Sequence, residues 1–345
     1  MFVFRSVKNR TFLPQPPGTD LRWSGKQIRF TQGLLNAVWI LTVASFTRDA
    51  LMKIKMHSAL MILGTLVLAQ DLASRSGASQ ASGPKARALE IALEPYADSH
   101  WAFRAAVKGH EELFVLDTGG GLTAISPQMA AEIGCEPWGQ LTGFRMRGDR
   151  LDLKRCDNVA FDAPGFAIRL PTVGIWDFNK SLPPGAAPIA ANVGLDAFAG
   201  QVITLDFANR KLILETPASL KTRIANATEV PAHFIKEVEG YSTTFAIGLD
   251  TSNGRVWMNI DSGDDVPITV GRHIAAVLSL DPEKRGPQPL DTSLAGGVAL
   301  RGQAYVTDLI FDGNIGSPII SRWVLTIDLV RQRIWIADTS QDVHK

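Results

Sequence analysis

Two aspartates, Asp117 and Asp261, each close an apolar run and open a turn of small residues: Phe114-Val-Leu-Asp-Thr-Gly-Gly120 and Met258-Asn-Ile-Asp-Ser-Gly-Asp264. Later in the chain each is matched by Asn, an apolar residue and Gly, as Asn192-Val-Gly194 and Asn314-Ile-Gly316. Two carboxyls held at one water cannot both ionise easily, so such a pair carries a single proton. The ionised member can take a proton from the water as it attacks a carbonyl, while the protonated member polarises that carbonyl. The roles then reverse to protonate the leaving group. The pair titrates as a unit, and the chemistry needs no metal and no cofactor.

Each turn needs a strand behind it and a second element beside it, and the chain supplies both twice. Leu113–Leu116 and Val256–Ile260 precede the turns, and the Asn-apolar-Gly segments run on into Val202-Ile-Thr-Leu-Asp206 and Val324-Leu-Thr-Ile-Asp328. Asn192, Gly194, Thr204, Asp206 and Lys211–Leu214 keep a constant separation of 122 residues from Asn314, Gly316, Thr326, Asp328 and Arg333–Ile336. This is an internal repeat. Short apolar stretches punctuated by Gly, Pro and Asp predict an all-β body in both copies. They include Trp101–Val107, Leu151–Leu153 and Phe166–Ile168 in the first, and Thr244–Ile247, Val298–Leu300 and Tyr305–Phe311 in the second. Helix is scarce. Ser126 as cap, Pro127 at the first helical position and Gly134 as stop predict one short helix, with Val270–Leu280 as its counterpart. Asp117 to Gly194 spans 77 residues and Asp261 to Gly316 spans 55, a difference of 22. The excess is expected in Ala163–Pro184, a Pro/Gly-rich stretch with Trp176 and Phe178, as an extra hairpin or cover.

The paired turns, the strand before each, the Asn-apolar-Gly partners and the shared register together resemble the aspartic proteases, of the retropepsin-like and pepsin-like families. Ala191-Asn-Val-Gly194 and Gly313-Asn-Ile-Gly316 match the second family element more loosely than the turns match the first. The resemblance runs roughly from Ala88 to Asp338. It implies an all-β, two-lobed aspartic-protease (acid protease) fold with a few short helices. It makes Asp117 and Asp261 catalytic, Thr118, Gly119, Ser262 and Gly263 supporting turn residues, and Asn192, Gly194, Asn314 and Gly316 a closing motif. The hydroxyls of Thr118 and Ser262 would lock the turns together, and the glycines would let the backbones approach closely. The implied activity is that of an endopeptidase whose polypeptide substrate lies extended in the cleft, adding to sheet edges under a hairpin flap. Flap candidates are Gly143–Gly148 with Leu151–Leu153, and Gly296–Gly302, with Met146-Arg-Gly148 and Leu300-Arg-Gly302 as counterparts. The first candidate contains no tyrosine. With both lobes in one chain, a monomer suffices. Two departures count against activity: Gly120 and Asp264 stand where these families usually carry Ala, Ser or Thr. Asp264 and Asp265 add negative charge, which pushes the pair's working range upward unless they face solvent or meet a base. The competing reading is an exported, non-catalytic peptide-binding protein of the same fold.

A net charge of +1 over 345 residues, 46 % of them apolar and 20 % charged, fits a globular chain and gives no reason to expect nucleic acid. Zinc-ligand spacing and a Walker-type loop are absent from the sequence. Gly119-Gly-Gly-Leu-Thr-Ala124 has the form of a dinucleotide-binding turn. Against that, Asp117 would face the pyrophosphate, the next helix is short and leads to Pro137-Trp-Gly139, and the second copy at Asp261 goes unaccounted for. The predicted organisation is a first lobe over 85–218, a linker over 219–231 and a second lobe over 232–345. Residues 1–51 form an extension of uncertain status, and 52–84 a signal peptide or anchor plus flexible tether. Lys53-Ile-Lys-Met56 followed by Ser58–Ala69 has the charged start and apolar middle of a secretory signal, short for a spanning helix. Leu34–Phe46 is likewise short. Export to a periplasm or the exterior is expected, with a membrane tether if the segment stays uncleaved. Cys135 and Cys156, 21 residues apart, either pair in such a compartment or stay separate buried thiols; the spacing is no metal site. His110, His233 and His273 are expected as surface or satisfied residues, Asp206 and Asp328 as turn anchors, and Trp323 and Trp335 as packing.

Overall fold

A computed structural model describes residues 2–5, 87–97 and 99–338 of the chain. The signal-like segment, the apolar run before it and the tether lie outside these residues. The N-terminal extension contributes β1 (Phe2–Arg5), and the first copy contributes β2 (Leu89–Ala92), β3 (Glu94–Tyr96), β4 (His100–Val107), β5 (His110–Leu116), β6 (Ala124–Ile125), α1 (Pro127–Ile133), β7 (Trp138–Arg145), β8 (Arg150–Ala163), β9 (Phe166–Ile175), β10 (Ala191–Val193), β11 (Val202–Asp206) and β12 (Lys211–Leu214). After α2 (Pro217–Arg223) and β13 (Thr228–Val230), the second copy contributes β14 (Ala232–Glu237), β15 (Ser242–Thr251), β16 (Gly254–Asp261), β17 (Ile268–Gly271), β18 (Pro287–Ser293), β19 (Ala299–Thr307), β20 (Gly313–Gly316), α3 (Ser317–Ile320), β21 (Trp323–Asp328) and β22 (Arg333–Asp338).

Each lobe has its own sheet, ordered β1-β7-β8-β9-β6-β10-β5-β4-β3 in the first and β14-β15-β16-β20-β17-β19-β18 in the second. A third sheet, β13-β22-β21-β11-β12-β2, takes strands from both. At its centre β11 and β21 pair antiparallel with Thr204 opposite Thr326, and the two hydroxyls lie 3.0 Å apart. These threonines are equivalents in the repeat, so the pseudo-two-fold axis passes between them.

Side-chain alternation sets the strands. Along β8, Leu151, Leu153, Val159, Phe161 and Ala163 turn inward while Asp152, Lys154 and Asp162 turn out. The strands that carry the turns are central and covered on both faces: Leu113–Leu116 is a continuous buried apolar run, and Met258–Ile260 is buried with Asn259 donating to Asn314 Oδ1 at 2.9 Å. Phe114 stacks between Phe103 and Phe161, with ring centroids 5.7 and 4.6 Å away, and fixes β5 at the middle of the first lobe. Helix α1 begins where expected: the Ser126 hydroxyl accepts from the Met129 amide, and Gly134 ends the helix in the left-handed region at φ 74°.

Just beyond α1, Cys135 is joined by a disulfide to Cys156 of β8, with 6.1 Å between Cα atoms. The bond closes a 21-residue separation around the segment that follows the first turn. Replacing both cysteines with Ser is expected to cost about 3 kcal/mol of stability. Urea unfolding of the double variant beside the oxidised parent measures this.

Three expectations need correction. The stretch 219–231 is ordered rather than a bare linker, since α2 reaches into it and β13 pairs with β22. The 22 extra residues of the first lobe do not fall in Ala163–Pro184 alone. Ala124 of β6 pairs in parallel with Gly174 of β9, as Ile268 of β17 does with Ala304 of β19. By that register β9 matches β19, β8 matches β18, and β7 has no counterpart. Ala124 lies opposite Asn192 and Thr269 opposite Asn314, so Gly174 answers Tyr305, and 13 residues of the excess lie before Gly174 and 9 after it. Finally, Leu300-Arg-Gly302 lies inside β19, whereas Met146-Arg-Gly148 is the turn between β7 and β8, so the two are not equivalent.

Candidate active site

Strand β10 lies parallel to β5 with Asn192 opposite Val115, and β20 lies parallel to β16 with Asn314 opposite Asn259. This register brings each Asn-apolar-Gly segment beside its own aspartate. The Asp117 amide donates to the Val193 carbonyl at 2.9 Å. Asn192 Nδ2 donates to Asp117 Oδ2 at 2.5 Å, and Asn314 Nδ2 donates to Asp261 Oδ2 at 3.3 Å. The other oxygen of each carboxyl accepts from the turn it belongs to, Gly119 N–H to Asp117 Oδ1 and Gly263 N–H to Asp261 Oδ1, both at 3.0 Å.

The turns hold each other across the lobes. The Thr118 amide donates to Ser262 Oγ and the Ser262 amide to Thr118 Oγ1, both at 3.0 Å. The Thr118 hydroxyl donates to the Ile260 carbonyl at 2.9 Å and the Ser262 hydroxyl to the Leu116 carbonyl at 3.0 Å. All four bonds are buried, so none is exchanged cheaply for water. The glycines are required by proximity. A Cβ on Gly119 would sit 2.3 Å from Asp261 Cγ, and one on Gly263 would sit 2.5 Å from Asp117 Cγ. Asp117 and Asp261 are thus neighbours, both buried, each carboxyl lying against the turn glycine of the other lobe. Burial pushes the Asp117 carboxyl up to about 6, and the Asp261 charge adds to the effect.

The two acidic residues beyond the second turn separate. Asp265 is exposed. Asp264 is only partly exposed, accepts from the Val266 amide at 3.0 Å, and shares Asn314 Nδ2 with Asp261 at 2.7 Å. It neither faces open solvent nor meets a base; burial, then the Asp261 charge, holds it above the ordinary aspartate range.

Three contributors were not singled out from sequence. Asp196, buried, accepts from the Thr123 amide and hydroxyl at 2.7–3.0 Å, and Thr123 Oγ1 in turn accepts from the Gly194 amide at 3.1 Å. The clamp ties the segment after the first turn to the closing motif. In the second lobe a main-chain bond from the Gly316 amide to the Pro267 carbonyl does this work. Pro267 and Pro318 occupy the equivalent positions there, so repeat matching gave no signal for Asp196. His100, at the start of β4, places Nε2 3.1 Å from the Gly263 carbonyl across 163 residues of sequence, a contact only the fold creates.

Burial raises Asp196 to about 7. Asp117 and Asp196 both sit above the ordinary value near 4 that they take in the unfolded chain. The folded state binds these protons more tightly, so their contribution to stability is present in full below about pH 4 and is lost as pH rises through 6 to 7. The urea midpoint is therefore expected to be higher at pH 5 than at pH 8. Asp196→Asn should remove on the order of 2 kcal/mol of that difference. Equal midpoints for the parent at both pH values would contradict the assignment.

The β7–β8 hairpin spans the lobes. Its base packs Leu141, Leu151 and Leu153 on Leu122, five residues past Asp117, and on Val238 of the second lobe. Its turn is tied across by the Ile310 amide, which donates to the Met146 carbonyl at 3.0 Å. A cavity of about 400 Å³ opens beside Asp117 and Gly263. A separate concavity of about 300 Å³, lined by Leu249, Asp250 and Leu290 among others, touches neither turn. Of the remaining histidines, His273 bonds Asp312 at 3.2 Å and His233 packs on Trp257, away from the turns. Asp206 and Asp328 each accept from main-chain amides of the turn that follows, and Trp323 and Trp335 are buried.

Two lobes related by a pseudo-two-fold, each with an Asp-Thr/Ser-Gly turn backed by a crossing Asn-apolar-Gly strand, constitute the all-β, two-lobed aspartic-protease fold. Structural comparison finds soybean basic 7S globulin at 7 % identity and a TM-score of 0.49, covering 75 % of this chain and 97 % of that one. Conglutin gamma, a basic 7S globulin of lupine seeds, aligns at 9 % identity and a TM-score of 0.49 over 75 % and 97 %. The protein edgp aligns at 10 % and 0.47 over 76 % and 98 %. No family model matches the sequence, and no curated protein matches it.

Proposed function

We propose that the protein is an exported aspartic endopeptidase in which Asp117 and Asp261 activate one water against a peptide carbonyl. The observation that carries this reading is that each carboxyl, held by its own turn amide and its own asparagine, lies against the turn glycine of the opposite lobe. The pair holds one proton: the protonated carboxyl polarises the carbonyl while the ionised one takes the proton from the attacking water. The bond between attacking oxygen and carbonyl carbon forms first. The C–N bond breaks once the leaving amine is protonated. Thr118, Gly119, Ser262 and Gly263 keep the carboxyls at this separation. The substrate lies extended under the β7–β8 hairpin, whose tie to Ile310 must open to admit it. The disulfide between Cys135 and Cys156 supports an oxidising compartment, hence export. Asp196 and His100 are positioning residues in this scheme.

One observation favours a second reading, a peptide-binding protein without hydrolysis. Asp264 places a third carboxyl on Asn314, the donor that Asp261 also uses, and so weakens the hold on the base. The two readings part in one experiment. The mature protein, from about Gly83, is incubated with a peptide library from pH 3 to 7, with and without a statine-type inhibitor. Inhibitor-sensitive cleavage supports the peptidase. Retained peptide binding with no cleavage at any pH supports the binder.

A further inference from the structure

The cavity beside Asp117 is not symmetric about the turns, and its chemistry is mixed. One wall is apolar, built from Val115 of β5, Ile189, and Phe178 and Leu182 of the segment 178–182. That segment lies in the stretch between β9 and β10, which is longer than its second-lobe counterpart between β19 and β20. It is braced: Asn179 exchanges two hydrogen bonds with Ile189, at 2.9 and 3.2 Å, and Tyr96 donates to the Ala187 carbonyl at 2.7 Å. Asp265 also lines the cavity. Its carboxylate is exposed and has no hydrogen bond or ion pair among the described residues. Lys180, beside this segment, and His100, which lines the cavity, are engaged elsewhere. Lys180 pairs with Asp177 at 3.0 Å, and both ring nitrogens of His100 face main-chain carbonyls, Ala97 at 3.3 Å and Gly263 at 3.1 Å.

We infer that this cavity is a subsite for a lysine or arginine side chain next to the scissile bond, with its methylene stem on Val115, Phe178, Leu182 and Ile189 and its cation at Asp265. The inference rests on the cleft reading above. Length and amphipathic character match. A lysine or arginine buries a three- or four-carbon stem along apolar surface and keeps its charged end wet. The exposed carboxylate at the cavity meets that end, and a glutamate in the same place would meet the negative charge of Asp265. Subsite selectivity thereby comes from a segment present in one lobe only, so the cleft discriminates its two sides although the turns are alike.

The test walks one residue through each position of a fluorogenic peptide as lysine, arginine, norleucine or glutamate. At one position next to the cleaved bond, lysine and arginine are expected to exceed norleucine by about fivefold in kcat/KM, and glutamate to fall below it. In Asp265→Asn the lysine-to-norleucine ratio should drop toward one, and in Asp265→Lys glutamate should become the preferred residue. The same peptides are titrated against Asp261→Asn by fluorescence anisotropy. Tighter binding of the lysine peptide that depends on Asp265, with no cleavage by the parent, keeps the subsite and removes the peptidase. Norleucine equal to or better than lysine at every position, in turnover and in binding, overturns the subsite, as does a ratio untouched by both Asp265 variants.

Discussion

Asp117→Asn is expected to lower kcat/KM for a cleaved peptide by about 10²- to 10⁴-fold, the span of positioned acid–base catalysis. Asn keeps the shape of the side chain and still offers an oxygen to the Gly119 amide or to Asn192 Nδ2, but it has no proton to share with Asp261. The loss should therefore fall on kcat, with peptide affinity largely kept. Asp261→Asn should do the same from the other side. In the parent, activity should decline as pH rises through about 6, where Asp117 loses its proton. Initial rates from pH 3 to 8, with far-UV circular dichroism to confirm folding, check all of this. Turnover surviving both substitutions would remove the pair from the mechanism.

Gly119→Ala should damage stability and activity together, although it adds one methyl group. Gly119 does not lie in the left-handed region, so backbone strain is not the cause. The new methyl would stand 2.3–2.7 Å from the three carboxyl atoms of Asp261, which its own turn amide and Asn314 hold in place. Either Asp261 turns away or the lobes part and lose the four buried bonds that Thr118 and Ser262 make across them. Overpacking of this kind costs about 1–3 kcal/mol, and breaking the buried polar contacts adds to it. The melting temperature should fall by about 4 °C or more, and kcat/KM by at least about 100-fold. Gly263→Ala, meeting Asp117 from the other lobe, is the matching experiment. A Gly119→Ala protein with unchanged melting and unchanged rates would mean that the carboxyl is not where this geometry puts it.

What the sequence disclosed is what the repeat duplicates. Asp117 and Asp261, Thr118 and Ser262, and Asn192 and Asn314 occur as pairs at matched positions, and each pair meets or faces its own lobe's turn. What it hid is what one copy has and the other lacks. Asp196 and Thr123 face proline at both equivalent positions, so the buried clamp left no trace in the comparison of copies. Strand β7 escaped for a related reason: Trp138–Arg145 alternates weakly, its first three residues are exposed, and only pairing with β8 makes it a strand. His100 depends on a contact 163 residues away, which no local pattern encodes. The ordered stretch after Glu215 read as polar linker because α2 buries none of its residues; the capping box of Thr216 and Ser219 supports it instead.

Thr204 and Thr326 are the equivalents that touch across the axis, hydroxyl to hydroxyl, in the middle of the shared sheet. A side chain on such an axis meets its own twin, so each half must accept there whatever the other half presents. Away from that seam and the two turns, the halves are released from matching. One carries an added strand, β7, and a disulfide that the other, among the described residues, does not. The joined chain behaves as a tethered pair whose members can drift apart at their rims while staying bound to one another at the hub.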